Sequence, residues 1–121
     1  LWAHVGVLDQ ERQYGQEFLL DFSLWSDMQL ISEKDDISNM SDYSLGIKSL
    51  QQLALTLNCK SIEYFAEQIL DRLESIYGAV PMKVYLRKCF APVSGFDGVV
   101  GVEQNRHFPL VENRHDLKNK Y

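Results

Sequence analysis

A lysine ends an apolar row in the segment VYLRKCFAP, residues 84–92. If this segment is a strand, Met82, Val84, Leu86 and Lys88 share one face, because successive strand side chains point to opposite faces. Lys88 then either lays its apolar stem along the surface with its ammonium in water, or points into a pocket. The pattern leaves both interpretations open, and the second requires a pocket and a reason for a cation in it.

Three other side chains could take part in acid–base or hydrogen-bonding chemistry. Glu63 falls in the first turn of a predicted helix, where a carboxylate complements the positive helix end. It also borders the apolar sector beside Leu70, so it could face a pocket between helix and sheet or between subunits. Tyr43 could staple a helix start or offer its O–H at the edge of a site. Glu11, in a polar connection, is by default a solvated carboxylate.

Templates for metal binding and for nucleophilic catalysis fail. The histidines His4, His107 and His115 lie far apart and lack the HxH or HExxH spacing of zinc ligands. The sequence also lacks a GxSxG elbow, a P-loop and a GxGxxG loop. Catalysis by this chain would therefore rest on carboxylates, tyrosine and lysine.

Length and charge limit the classes of function. The 121 residues, 45% of them hydrophobic, fit one globular domain, to which assembly could add stability. A net charge of -5 gives no basic footprint for nucleic acid or for an anionic membrane. No apolar run approaches the roughly 18 residues of a membrane span, and no leader pattern opens the chain, so we expect a cytoplasmic protein. Cys59 and Cys89 are expected to be free thiols.

The first half of the chain predicts two strands and a helix. The segment EFLLDFSLW, residues 17–25, predicts a strand, LWAHVGV the end of an earlier strand, and LDQERQYGQ the polar connection between them. The charged segment SEKDDISNMSD, residues 32–42, predicts a turn-rich connection. Helical spacing then runs from Tyr43 to Leu57, with Ser41 or Asp42 available as a cap.

The second half predicts a helix and two strands. The helix runs from Ile62 to Tyr77, with Ser61 as N-cap and Gly78 as stop. A strand over Met82–Lys88, the loop CFAPVSGFDG and a last strand near VVGVE follow. This order predicts an α+β domain in which two helices cover one face of a four-stranded antiparallel sheet. The other face and the edges stay exposed, and partner subunits usually close such a sheet.

Four segments resemble, in order and spacing, the successive motifs of the dihydroneopterin aldolase family. They are GVLDQERQYGQEFLLDFSLW, DDISNMSDYSLG, SIEYFAEQIL and VYLRKCFAPVSGFDGVVGVE, and the resemblance spans residues 4 to 106. It implies the tunnelling fold, in which ββααββ subunits close into an oligomeric barrel. Such barrels are commonly tetramer rings stacked into octamers, with sites at subunit interfaces.

The resemblance also implies a lyase of folate biosynthesis. The family splits 7,8-dihydroneopterin by a retro-aldol reaction into 6-hydroxymethyl-7,8-dihydropterin and glycolaldehyde, and many members also epimerise the side chain. It uses neither a metal nor a Schiff base, since a C=N group of the dihydropterin ring can accept the electron pair. The expected partners are a small pterin substrate and further copies of this chain, with no cofactor, nucleic acid or membrane.

Three catalytic roles carry over by position. Lys88 resembles the active-site lysine, expected to assist deprotonation of the side-chain hydroxyl and to stabilise developing negative charge. Tyr43 resembles the tyrosine that reaches in from a neighbouring subunit and protonates the enol intermediate. Glu11 resembles the loop glutamate near the hydroxylated tail of the substrate.

Binding roles carry over in the same way. Glu63 resembles the pterin anchor, a carboxylate that accepts hydrogen bonds from the ring amino group and the adjacent N–H. Backbone groups around Ile62 and in the loop at Val7 and Leu8 would complete the pocket. No residue is expected to bind a metal.

The chain departs from the family pattern at three places. It begins at Leu1 without a methionine, so we expect most of the family's first strand to precede it. Cys89 and Phe90 follow the lysine, which leaves the substrate preference open. Residues 107–121 would form a tail beyond a domain of residues 1–106.

Two alternatives share the fold. An epimerase acting on dihydroneopterin triphosphate would need cations for three phosphates, for which Arg12, Arg87 and Arg106 are candidates. A catalytically idle pterin-binding scaffold would need none of the four side chains named for the site.

Overall fold

The computed structural model describes residues 1–25, 43–90 and 93–108. The strands in these ranges are β1 (Trp2–Val5), β2 (Gln16–Leu24), β3 (Asn58–Cys59), β4 (Met82–Lys88) and β5 (Val100–Arg106). The helices are α1 (Asp9–Tyr14), α2 (Tyr43–Thr56) and α3 (Ile62–Tyr77). The connection predicted for residues 32–42, with its caps Ser41 and Asp42, lies outside the described residues.

The sheet is five-stranded and mixed, in the order β3-β1-β2-β4-β5. The pairs β1–β2, β2–β4 and β4–β5 are antiparallel, as predicted. The prediction of four antiparallel strands is wrong at one edge, where β3 pairs with β1 in parallel through His4–Asn58 and Val5–Cys59. A strand of two residues is too short to show an alternating pattern, so its pairing is decided by tertiary contacts.

The two long helices cover one face of the sheet, as predicted. The inward row of β4 contributes Met82, Val84 and Leu86 to the core, each fully buried. Phe18 on β2 meets Phe65 on α3 edge to face, with ring centroids 5.3 Å apart. The predicted stripe of α3 is buried over most of its length: Ile62, Phe65, Ala66, Ile69, Leu70 and Leu73. Burial of these apolar side chains holds the helices on the sheet.

The bounds of α3 match the predicted helix. The Ser61 hydroxyl accepts the N–H of Tyr64, which satisfies one of the free donors of the first turn. At the other end Gly78 has a φ of 82°, a left-handed value that glycine adopts at low cost, and its N–H donates to the Glu74 carbonyl.

The polar connection predicted between the first two strands contains the helix α1. Its first turn begins after Leu8, whose carbonyl accepts the N–H groups of Glu11 and Arg12. Gly15, with a φ of 79°, ends it. Six residues are too few to display an amphipathic stripe, so the pattern read as a loop.

The elements give the sheet two distinct ends. At the end called here the site end, β1 finishes, β2 begins, β4 finishes at Lys88, and β3 leads into the start of α3. The opposite end holds the start of β4 and the end of α3, where the Tyr77 hydroxyl accepts the N–H of Gly46 in the first turn of α2. Arg106, opposite Met82, binds Asp71 and Glu74 of α3 there.

Two further expectations concern the compartment. Cys59 and Cys89 are free thiols, as predicted. Among the described helices, none is long and apolar enough to cross a membrane.

Candidate active site

An ion pair between Lys88 and Glu11 lies at the site end of the sheet. Lys88 Nζ is 3.0 Å from Glu11 Oε2, and the side chains are only 15% and 8% exposed. The default expectation of a solvated Glu11 is therefore wrong, because α1 turns this side chain inward. Lys88 ends the apolar row of β4 because its ammonium meets a buried carboxylate, which compensates the cost of removing the cation from water.

The Glu11 carboxylate accepts hydrogen bonds at both oxygens. Oε1 accepts the backbone N–H of Leu8 at 3.1 Å, and Oε2 accepts the Gln16 side-chain amide at 2.7 Å in addition to Lys88. Burial by itself raises the pKa of this carboxyl, but the hydrogen bonds from Leu8, Lys88 and Gln16 outweigh it and hold the pKa below its ordinary value of 4.5. Glu11 is therefore ionised at neutral pH.

Gly6 provides the space in which the carboxylate lies. A Cβ at Gly6 would lie 2.4 Å from Glu11 Cδ and 2.5 Å from Oε1, closer than non-bonded atoms approach. Any side chain at this position would displace the carboxylate. The close approach of the Glu11 side chain to the backbone thus requires glycine.

The loop between β1 and α1 is held by Arg12. Its guanidinium donates to the carbonyls of Gly6 and Val7, both at 2.8 Å, and pairs with Asp9. Val7 itself is exposed. Leu8 is tied to the site through the N–H that it donates to Glu11. The backbone that the sequence analysis assigned to the pocket is therefore fixed beside the ion pair.

A cleft of about 390 Å³ opens beside the ion pair. It is lined by Gln10, Glu11, Tyr14, Gly15, Gln16 and Phe90. Tyr14 and Phe90 are largely exposed. An apolar cleft with a few polar groups converging in it is a typical small-molecule site.

Glu63 lies at the same end of the sheet. The Gly6 N–H donates to the Cys59 carbonyl at 3.0 Å, and α3 begins three residues after Cys59. The Glu63 side chain is exposed in the first turn of α3, and within the described residues it makes no hydrogen bond or ion pair. Ile62 beside it is buried in the core. The fold brings the carboxylate to the site end without engaging it.

Tyr43 lies at the opposite end. It begins α2, and Gly46 in the same turn bonds Tyr77 at the end of α3. From Glu63 to Tyr77 the helix rises about 21 Å at 1.5 Å per residue. The Tyr43 side chain is 66% exposed. Within one chain, the structure therefore brings Lys88 and Glu11 together, with Glu63 nearby, and leaves Tyr43 apart.

The contacts that two residues make with the site were not predicted from the sequence. Gln16 bonds the Glu11 carboxylate, and Arg12, weighed only as a phosphate ligand, orders the loop. An available signal was the acidic pair Asp9 and Glu11 ahead of Gly15, which is typical of a short capped helix. In residues 1–25, 43–90 and 93–108, no three His, Cys, Asp or Glu side chains group so as to hold a metal ion.

The lowered pKa of Glu11 predicts a pH-dependent contribution to stability. Since the folded pKa lies below 4.5, the ionised carboxylate stabilises the fold above pH 4.5, and this contribution disappears as the pH falls through the folded pKa. Glu11→Gln should lower the free energy of unfolding by about 1–3 kcal/mol at neutral pH, and the difference from the parent should shrink in acid.

Chemical denaturation at a series of pH values measures this difference. Glu17→Gln, at an exposed carboxylate on β2, is the matched control and should change stability little at any pH. A Glu11→Gln difference that stays constant from neutral pH into acid would contradict the assignment.

Comparison with known proteins places the chain in a family. The model of the dihydroneopterin aldolase (FolB) family matches residues 1–105. A "Probable dihydroneopterin aldolase" of Synechocystis sp. is 32% identical over 102 residues, covering 84% of this chain and 86% of the relative. The dihydroneopterin aldolase of Staphylococcus epidermidis is 29% identical over 103 residues, covering 84% and 85%.

Solved structures agree in fold. A FolB crystal structure from Vibrio cholerae superposes with a TM-score of 0.76 at 25% identity, covering 88% of each chain. The E. coli dihydroneopterin aldolase in complex with neopterin has a TM-score of 0.75 at 19% identity, covering 87% of this chain and 90% of that one, and supports the fold alone. The family match over residues 1–105 shows that the chain belongs to the dihydroneopterin aldolase family.

Proposed function

We propose that this chain is a lyase that cleaves 7,8-dihydroneopterin by a retro-aldol reaction into 6-hydroxymethyl-7,8-dihydropterin and glycolaldehyde. Recombination of the two fragments would also give the epimer. The observation that carries the proposal is the buried Lys88–Glu11 ion pair beside a cleft. Membership in the family supports the substrate, and neopterin in the E. coli structure is a ligand of the same class.

Cleavage requires a proton to leave the side-chain hydroxyl while the adjacent C–C bond breaks. The released electron pair passes into the C=N group of the ring, so the protein must bind, orient and move protons. Lys88 supplies a cation that stabilises the developing alkoxide, and a water beside the hydroxyl accepts its proton and passes it to solvent. Glu11 fixes the position of the ammonium and faces the hydroxylated tail in the cleft.

Glu63 anchors the pterin ring in this proposal. Its exposed carboxylate would accept two hydrogen bonds, from the ring amino group and the adjacent N–H, a geometry that fixes orientation. Backbone groups at Ile62 and in the ordered loop at Val7 and Leu8 complete the ring pocket. The position of Glu63 at the site end, with its carboxylate unengaged within the described residues, supports this role.

Tyr43 protonates the enol intermediate from a second copy of the chain. The helix length that separates it from the site end of its own chain, about 21 Å, supports this arrangement. We infer a homo-oligomer, a tetramer ring or a stacked octamer, with one site at each interface. The strands β3 and β5 at the sheet edges are available for closing the barrel.

The catalytic unit would comprise residues 1–106, followed by a tail at 107–121. The first two residues of the tail pack on the domain, His107 against Glu74 and Phe108 against Trp25. The free thiols are compatible with a reducing, cytoplasmic compartment.

The contacts of the three arginines proposed as phosphate ligands do not support the triphosphate epimerase. All three guanidinium groups are bound by protein: Arg12 by the Gly6 and Val7 carbonyls and Asp9, Arg87 by Asp21, and Arg106 by Glu67, Asp71 and Glu74. Arg106 also lies at the opposite end of the sheet.

Product analysis tests the proposed reaction. Purified protein incubated with 7,8-dihydroneopterin and a metal chelator should form 6-hydroxymethyl-7,8-dihydropterin and glycolaldehyde. Lys88→Met should lower kcat on the order of a hundredfold to ten-thousandfold, because the charge that stabilises the alkoxide is lost. Lys83→Met, on the outer face of the same strand, is the matched control and should turn over like the parent.

Three outcomes of this assay would contradict the proposal. Turnover of the triphosphate without cleavage of 7,8-dihydroneopterin by the parent would establish the epimerase. Absence of both reactions, with neopterin still bound, would establish the idle binder. Normal turnover by Lys88→Met would exclude its chemical role.

The anchoring role of Glu63 predicts a loss of ligand affinity. Glu63→Ala should bind neopterin on the order of tenfold to a hundredfold more weakly, because two charge-assisted hydrogen bonds are lost, with little change in folding. Titration calorimetry measures the affinity. Glu67→Ala, one turn further along α3, is the control and should bind normally. Equal affinities for the two variants would exclude the anchor.

A further inference from the structure

The Gln16 side chain joins the buried ion pair to the backbone of the sheet. Its Nε2 donates to the Val5 carbonyl at 2.9 Å and to Glu11 Oε2 at 2.7 Å. A primary amide carries two N–H groups, so these bonds use both of them. Gln16 opens β2 directly opposite Ala3 on β1, which places its amide over the end of that strand. The donor to Glu11 is thus held by the sheet.

Glu11 depends on such contacts because its own helix is short. A helix of six residues does not hold a defined position by itself, since isolated helices of this length are not stable in water. The carboxylate is fixed by the groups around it: Leu8 at Oε1, Gln16 and Lys88 at Oε2, and the open space over Gly6. Of the donors, Leu8 belongs to the same turn and Lys88 is assigned to the reaction, which leaves Gln16 as the independent support.

We propose that Gln16 is a positioning residue for the retro-aldol reaction, which directs Glu11 Oε2 towards Lys88 and thereby fixes the ammonium beside the substrate tail. This inference rests on the proposed function. Gln16 acts through Glu11, because the shared oxygen Oε2 accepts from both Gln16 and Lys88. Two donors converging on one oxygen restrict its rotation more than either would alone.

Replacing the amide by an apolar group of similar size tests this role, and it also removes the bond to the Val5 carbonyl. Gln16→Met keeps a side chain of similar length but offers no N–H, so the Glu11 carboxylate loses one of its three donors. Burial raises the pKa of Glu11 and the hydrogen bonds lower it. The pKa should therefore rise when one of these bonds is lost. The value of kcat should fall on the order of tenfold to a hundredfold as Lys88 loses its defined position.

Replacement by glutamate adds a readout that a merely structural role would not move. Gln16→Glu places a second carboxylate within hydrogen-bond distance of Glu11. At high pH both are ionised and repel each other. As the pH falls the pair retains one proton, and a protonated Glu side chain at position 16 again donates to Glu11. The kcat of this variant relative to the parent should therefore increase towards acid pH.

A carboxyl titration followed by ¹³C NMR, combined with kcat measurements, tests the inference. The Glu11 signal is assigned by its loss in Glu11→Gln and is followed in the parent, in Gln16→Met and in Gln13→Met. Gln13 is exposed on the same helix and serves as the matched control. We expect a raised Glu11 pKa and a reduced kcat in Gln16→Met only.

Every outcome of this experiment is informative. A parent-like kcat in Gln16→Met would overturn the inference, whether or not the Glu11 pKa changes. A raised pKa in Gln16→Met together with a parent that cleaves nothing would retain the contact and reject the proposed function. If Gln16→Met does not fold, the pH dependence of Gln16→Glu decides, and a relative kcat that does not change with pH overturns the inference.

Discussion

A lysine at the end of a central strand is tolerated in this fold because a buried carboxylate meets it. Lys88 and Glu11 are 77 residues apart in sequence, yet their charged atoms lie 3.0 Å from each other. A largely buried ion pair needs further hydrogen bonds to its charged groups, and the surrounding chain supplies them to the carboxylate. Gly6 leaves room for the carboxylate, while Leu8 and Gln16 donate to it. These contacts hold Glu11, and with it the short helix α1, in place.

Topology explains why the pair, and the carboxylate assigned to the pterin ring, share one end of the sheet. The parallel pairing of β3 with β1 brings the start of α3, and with it Glu63, beside the end of β1. The antiparallel pairing of β2 with β4 sets Lys88 opposite Phe18, near the start of β2. The same arrangement carries Tyr43 to the opposite end. A single chain thus holds part of the proposed site, and the proposed oligomer would supply the rest.

The predictable parts of the structure were those with a strong repeating pattern. The alternation of β4 and the stripe and caps of α3 gave both elements with their observed bounds, because burial of a continuous face determines them. The elements α1 and β3 were missed, since six and two residues are too short for a pattern. The burial of Glu11 could not be inferred either. It follows from contacts with Lys88, Gly6 and Gln16, which only the folded chain brings together.

The central claim is that Glu11 and Lys88 act as one unit in the reaction. A double-mutant cycle on kcat/KM with 7,8-dihydroneopterin tests it most directly, using the parent, Glu11→Gln, Lys88→Met and the double variant. The account predicts that the double variant is no slower than Lys88→Met alone, because Glu11 has no ammonium left to position. Single effects that simply multiply in the double variant would contradict it.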